Sequence, residues 1–202
     1  GCDLRLVNLR QAALSQANLS GCDLRLADLV EAIVVGANLT DADLRAATMR
    51  AARLAGATLT GANLAGATLA SAQLTGATLA GAKNLAGLNL KQAKLAKAVA
   101  NGINLAGAFL GEADLTQASL IQANLAGAFL VGAKLGRANL HRANLAGAVL
   151  AGVKLDRADL SGAILTGAVL IGASLYQANL DGANLTGADL TGVVMPDGSK
   201  HD

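Results

Sequence analysis

The chain has almost no aromatic side chains: its 202 residues contain no Trp, one Tyr and two Phe. A wide core of aromatic pairs is therefore excluded. With 53% hydrophobic residues, the interior must instead be narrow and filled by aliphatic side chains. Cysteine is limited to Cys2 and Cys22, too few for the disulfide framework of a small secreted domain. His141 and His201 stand apart, so no spacing suits a metal and no cofactor is expected. No Gly-x-x-x-x-Gly-Lys phosphate cradle occurs. Residues 54–82 carry no charge but are studded with Thr, Gln, Asn and Gly, so they are not a membrane span. Charge of a single sign is also lacking, with 16 basic against 14 acidic residues.

What is present is repetition. Asn-Leu-Ala-Gly-Ala-Phe-Leu occupies 104–110 and again 124–130, and Asn-Leu-Ala-Gly also opens at 84 and 144. Inside each twenty, an apolar centre falls every fifth residue, from Leu4 to Leu79 and, after a slip of one, from Leu85 to Met195. These are 39 units, nearly all with Leu at the centre and Ala two places before it. Fixed-period self-similarity of this kind signals a repeat architecture.

A period of five matches neither the 3.6 of a helix nor the 2 of a strand. Positions two apart do share a side in extended chain, so Ala and Leu both face inward if the chain turns a corner after every unit. Twenty of the 24 Gly lie two places after a centre, where a corner needs positive φ. The twenty-residue echo then means that four sides close one coil. The fold expected is all-β: a parallel β-solenoid of about ten four-sided coils, roughly 48 Å long at 4.8 Å per coil.

The unit, seen as Ala17-Asn18-Leu19, Ala113-Asp114-Leu115 and Ala188-Asp189-Leu190, resembles that of the pentapeptide-repeat family. The resemblance covers residues 2–195, and the ending is similar to that of cyanobacterial members. It implies a right-handed quadrilateral β-helix and brings no catalytic residues, because the motif is a folding motif.

Residues 1–195 therefore read as one solenoid with a register slip near 80–85, and 196–202, beginning at the only Pro, as a terminal cap or tail. At the slip, one extra residue must bulge outward, and Lys83 is the expected one because it cannot enter the core unpaired. Cys2 and Cys22 share the inward small position one coil apart and read as two buried hydrophobes in place of Ala. Stacked coils also bring them near disulfide range. Asp3, Asp23 and Asp43 form an outward column beside Arg5, Arg25 and Arg45, read as a solvated ion-pair ladder. Asn84, Asn104, Asn124, Asn144 and Asn184 form an amide column interrupted by Ile164. In coil 86–103, small Ala100 is offset by large Leu88 and Ile103. Lys134, Arg137, Lys154 and Arg157 cluster on another side, with Arg142 and His141 around the corner and Asp156 and Asp159 nearby.

One column departs from this polar surface. Phe109, Phe129, Val149 and Val169 occupy the outward place before the centre, between Asn89 and Asp189. An exposed apolar stripe about 15 Å long marks a candidate interaction surface. The function expected is a non-enzymatic scaffold that binds an unidentified protein or self-associates through this stripe. Two alternatives stand beside it. The resemblance brings DNA mimicry by an acidic rod that protects topoisomerases, and the basic cluster brings weak nucleic-acid binding. Near-neutral charge disfavours both, so no nucleic acid and no membrane span are expected. With no leader visible, a cytoplasmic location is expected. An exported form stays open, because the chain begins inside the repeat without Met.

Overall fold

The computed structural model describes residues 2–202, and in it every unit repeats one local geometry. Away from the slip, the residue before each centre makes a parallel bridge to the equivalent residue twenty places on, as in Asp23 to Asp43 and Phe129 to Val149. Backbone hydrogen bonds run to the coils on either side: Leu24 N–H donates to the Asp43 carbonyl at 2.8 Å, and Asp43 N–H donates to that of Cys22 at 2.9 Å. A four-residue turn follows, closed by the next inward N–H, as in Ala27 N–H to the Leu24 carbonyl at 3.1 Å. A turn in every five residues leaves too little extended chain for a longer strand, so the sheet on each side is a ladder of single bridges.

The third residue of these turns has positive φ whichever amino acid occupies it. Gly127 has φ +63, and Gln117 and Arg137, at the equivalent place, have +60 and +57. The Leu and Ala pair of each unit points inward, and from Leu19 to Ala178 nearly every such residue is buried. No polar or charged side chain is buried among the described residues, which is how a narrow aliphatic interior avoids unpaired polar groups. Beside Ala100 only a void of roughly 10 Å³ remains, lined by Leu95, Ile103 and Leu105 among others. The larger neighbours thus fill most of the space the small centre leaves.

Two expectations are corrected. Cys2 and Cys22 are not free thiols in the place of Ala but a disulfide. The coil stacking holds their Cα atoms 4.6 Å apart, inside the range a disulfide spans. At the slip, Lys83 is not the extra residue. It takes the regular place, bridging Asn63, and its N–H donates to the Ala62 carbonyl at 2.8 Å. Asn84 is extra, with φ +61, a conformation Asn tolerates far better than Lys. Its amide turns back to donate to Asn63 Oδ1 at 2.9 Å. Bridges that span the slip run at a spacing of twenty-one, from Thr68 to Asn89 and Thr78 to Val99, and from Asn89 to Phe109 onward the spacing is twenty again.

The terminal residues fold back as a short hairpin. Val194 pairs antiparallel with Lys200, and Met195 N–H donates to the Ser199 carbonyl at 2.7 Å. No helix among the described residues is long and apolar enough to cross a membrane.

Candidate interaction surface

The residue before each centre is held by backbone bonds on both sides, so its side chain points away from the axis by the alternation of extended chain. Phe109 N–H donates to the Leu88 carbonyl and Phe129 N–H to that of Ala108, both at 2.9 Å. The two rings stand one above the other with centroids 5.2 Å apart and planes 7° from parallel. They are 49% and 44% exposed, so they lie on the surface and stack along the ladder rather than filling the core. Bridges continue the column through Val149 and Val169, each half-buried, to Asp189. The structure thus brings all four sequence-selected residues into one column.

The apolar surface is wider than that column. The corner position two places after each of these residues holds Gly111, Val131, Ala151 and Ile171. Val131 is 49% exposed and Ile171 45%. Sequence reasoning missed both by treating corners as turn chemistry alone. The signal was present in the same register, since Phe129-Leu130-Val131 and Val169-Leu170-Ile171 are offset by forty residues. On the opposite edge, the corners are Ala106, Ala126 and Ala146 followed by Gly. Small edges leave nothing to hold a partner away from the face.

Its upper and lower limits are polar. Asn89 Oδ1 accepts the Lys91 N–H at 3.1 Å. Asp189 Oδ1 accepts the Thr191 N–H at 3.0 Å and hydroxyl at 2.7 Å, and these bonds hold its carboxyl below the usual range. The terminal hairpin lies on the column ending in Ser174 and Val194, so it leaves the Phe face uncovered.

The other surfaces are mainly polar, with Leu6, Leu26, Val99, Ile164 and Tyr176 as their large exposed apolar side chains. The Asp–Arg columns form a continuous ladder: Arg5 binds Asp3 at 2.7 Å and leans to Asp23 at 3.7 Å, and Arg25 repeats this with Asp23 and Asp43. Hydrogen bonding from Arg5 lowers the Asp3 pKa to about 2. Asn104, Asn124 and Asn144 are linked amide to amide at 3.1 and 3.3 Å. Asn84 makes no such link, having turned to Asn63. In the basic cluster, Lys134 and Lys154 bridge one another, and Arg157 donates to Gln177 at 2.7 Å. Asp156 accepts from Ser174 at 2.6 Å, while Asp159 is lowered by its bonds to Ser161. These carboxylates therefore bind neighbouring hydroxyl and amide groups, and every ion pair among the described residues lies in the first coils. Leu6 and Leu26, exposed by 73% and 57%, occupy corners beside Arg5 and Arg25.

The chain matches the model for pentapeptide repeats over residues 2–41, 47–83, 84–120, 101–137, 133–170 and 154–192. It is similar to the crystal structure of HetL, a pentapeptide repeat protein involved in heterocyst differentiation regulation from the cyanobacterium Nostoc. Identity is 42%, the TM-score is 0.60, and the match covers 98% of this chain and 85% of that one. Rfr23, a pentapeptide repeat protein from the cyanobacterium Cyanothece, is 28% identical over 54% of this chain and 91% of its own, with a TM-score of 0.45. QnrB1, a plasmid-mediated fluoroquinolone resistance protein, is 18% identical over 90% of this chain and 89% of its own, with a TM-score of 0.44. No curated protein matches the chain.

Proposed function

Because the chain belongs to the pentapeptide-repeat family, we propose that it is a non-enzymatic scaffold that binds a protein partner through Phe109, Phe129, Val149 and Val169. The family fold is a right-handed β-helix. Its finer form here is about ten four-sided coils, with residues 1–195 as one repeat body and 196–202 as its terminal cap. Such a rod keeps side-chain columns in fixed register, which suits display to a partner. It needs no cofactor.

The observation that carries this reading is the stacked, half-exposed Phe109–Phe129 pair, continued by Val149 and Val169 in one column with Val131 and Ile171 beside it. The other exposed apolar side chains, such as Leu6, Leu26 and Ile164, lie in mainly polar columns. Exposed contiguous apolar area is characteristic of interaction sites, and stacked aromatic rings supply large contact energy at small entropic cost. Similarity to HetL, itself involved in regulation, supports a binding role over a catalytic one. DNA mimicry fits less well, because the columns mix Lys and Arg with Asp and the net charge is +2.

The test is affinity capture from the native host with the wild-type rod and with Phe109→Ser plus Phe129→Ser. Loss of specific bound proteins from the folded double variant is expected. An identical captured set would remove the Phe face from the reading. In a parallel assay, gyrase supercoiling in the presence of a quinolone is expected to be unaffected, and protection of gyrase would favour mimicry instead.

A further inference from the structure

We propose that the Phe face seats a second copy of this chain, with the two rods antiparallel about a two-fold axis midway between Phe129 and Val149. This rests on the reading of that face as a binding surface and adds the identity and geometry of an occupant. The column Asn89, Phe109, Phe129, Val149, Val169, Asp189 is continuous through bridges. Because coils stack evenly, these six residues lie in equally spaced rows, three on each side of the axis.

The first support is volume. A two-fold axis in the interface and perpendicular to the rods sets Phe129 against the partner's Val149 and Phe109 against the partner's Val169. It also preserves which edge meets which. Val131 then meets the partner's Ala151, and Ile171 meets the partner's Gly111. Each bulky residue faces a smaller one along both columns. A parallel pair would instead set Phe on Phe and Val on Val, leaving gaps beside collisions.

The second support is charge. The antiparallel operation brings Asn89 and Lys91 of one copy to Asp189 of the other, at both ends of the contact. Lys91 is exposed and forms no ion pair within its own chain. Asp189 is likewise exposed and free of ion pairs. In a parallel pair, Asp189 of the central column would face Asp189, a like-charge cost at that end, and Lys91 would be carried to the opposite edge, away from any carboxylate of the partner's column. The rows between carry no charge except Glu112 at one corner.

The contact is small. Six rows span roughly 24 Å, and one side about 10 Å, of planar face. That area is well below the ~800 Å² per partner of standard stable complexes, so the dimer is weak, with a Kd above about 1 µM.

Sedimentation velocity of the full chain from roughly 10 µM to 1 mM, the range suited to a small interface, tests this. Wild type is expected to pass from monomer to dimer across the series. Phe129→Glu, at the centre of the contact, is expected to remain monomeric with an unchanged circular dichroism spectrum. Asp189→Lys and Lys91→Asp are each expected to weaken the dimer, and the two combined are expected to restore it. A wild-type monomer throughout the series overturns the second copy while leaving capture of another protein by the same face as a separate question. A dimer untouched by Phe129→Glu places self-association elsewhere and overturns the proposal. A dimer lost with Phe129→Glu but not rescued by the charge exchange overturns the antiparallel arrangement.

Discussion

The two glycines Gly127 and Gly136 should respond in opposite ways to the same substitution. Both are corner residues less than one coil apart, but Gly127 has φ +63 and Gly136 does not adopt positive φ. A Cβ at Gly127 would meet nothing within 4 Å, and one at Gly136 would make only an ordinary contact of 3.7 Å with the Asp156 carbonyl. Steric collision is thus absent at both, and backbone conformation alone separates them. An L-residue in the left-handed region costs about 1–2 kcal/mol relative to Gly. Restricting the unfolded chain gives back about 0.4–1 kcal/mol. Gly127→Ala should therefore destabilise by about 1 kcal/mol, and Gly136→Ala should be neutral or stabilise by about 0.5 kcal/mol. Urea unfolding followed by far-ultraviolet circular dichroism reads the difference as opposite shifts in midpoint at a common slope. Equal shifts would refute the assignment of a left-handed residue to the second place after each centre.

The remaining expectations concern the core, the charge ladder and the first coil. Leu125→Ala, at a fully buried centre, should cost about 2–5 kcal/mol, and Leu185→Ala, only partly buried near the last coil, distinctly less. Equal losses in urea unfolding would contradict the interior packing. The Asp3 carboxyl, lowered to about 2 by hydrogen bonding to Arg5, has a folded pKa below its unfolded value. Its contribution is therefore complete above about pH 4 and lost as pH falls through about 2. The protection of amides in residues 2–20, taken relative to their intrinsic exchange rates at each pH, should accordingly fall only in that acid window, and a fall in protection between pH 5 and 8 would be inconsistent with it. Reducing the Cys2–Cys22 disulfide, which closes a separation of twenty residues, should loosen the first coil by about 3 kcal/mol. Limited proteolysis with and without reductant reads this, and identical cleavage would oppose a fastening role.

Much of the fold was legible because one constraint is repeated at every unit. An aliphatic centre every fifth residue with Ala two places before it leaves few ways to bury both, and Gly at the corner names the turn. The Phe column was legible for the same reason: register alone places Phe109 and Phe129 outward and one above the other. The position of the slip was legible too, but not which residue is extra, because Lys83 and Asn84 can each satisfy the periodicity. Only backbone geometry decides between them, by pairing Lys83 with Asn63 and putting Asn84 at φ +61. For Cys2 and Cys22 the coil spacing already suggested disulfide range, but their joining rests on the Cα separation of 4.6 Å that only the structure gives. Val131 and Ile171 were hidden in corner positions, where turn conformation dominates the reading and exposure is set by the third dimension.

The unfolding free energy of the Phe109→Ser plus Phe129→Ser variant tests most directly whether these rings are displayed or packed. A displayed pair contributes its stacking, about 0.5–1.5 kcal/mol, with a similar amount from strand pairing. A total loss of about 1–3 kcal/mol with an unchanged circular dichroism spectrum is therefore expected. Two packed rings would cost about 3–5 kcal/mol each, and a loss of that size, or failure to fold, would show that the rings fill the core and that no Phe face exists.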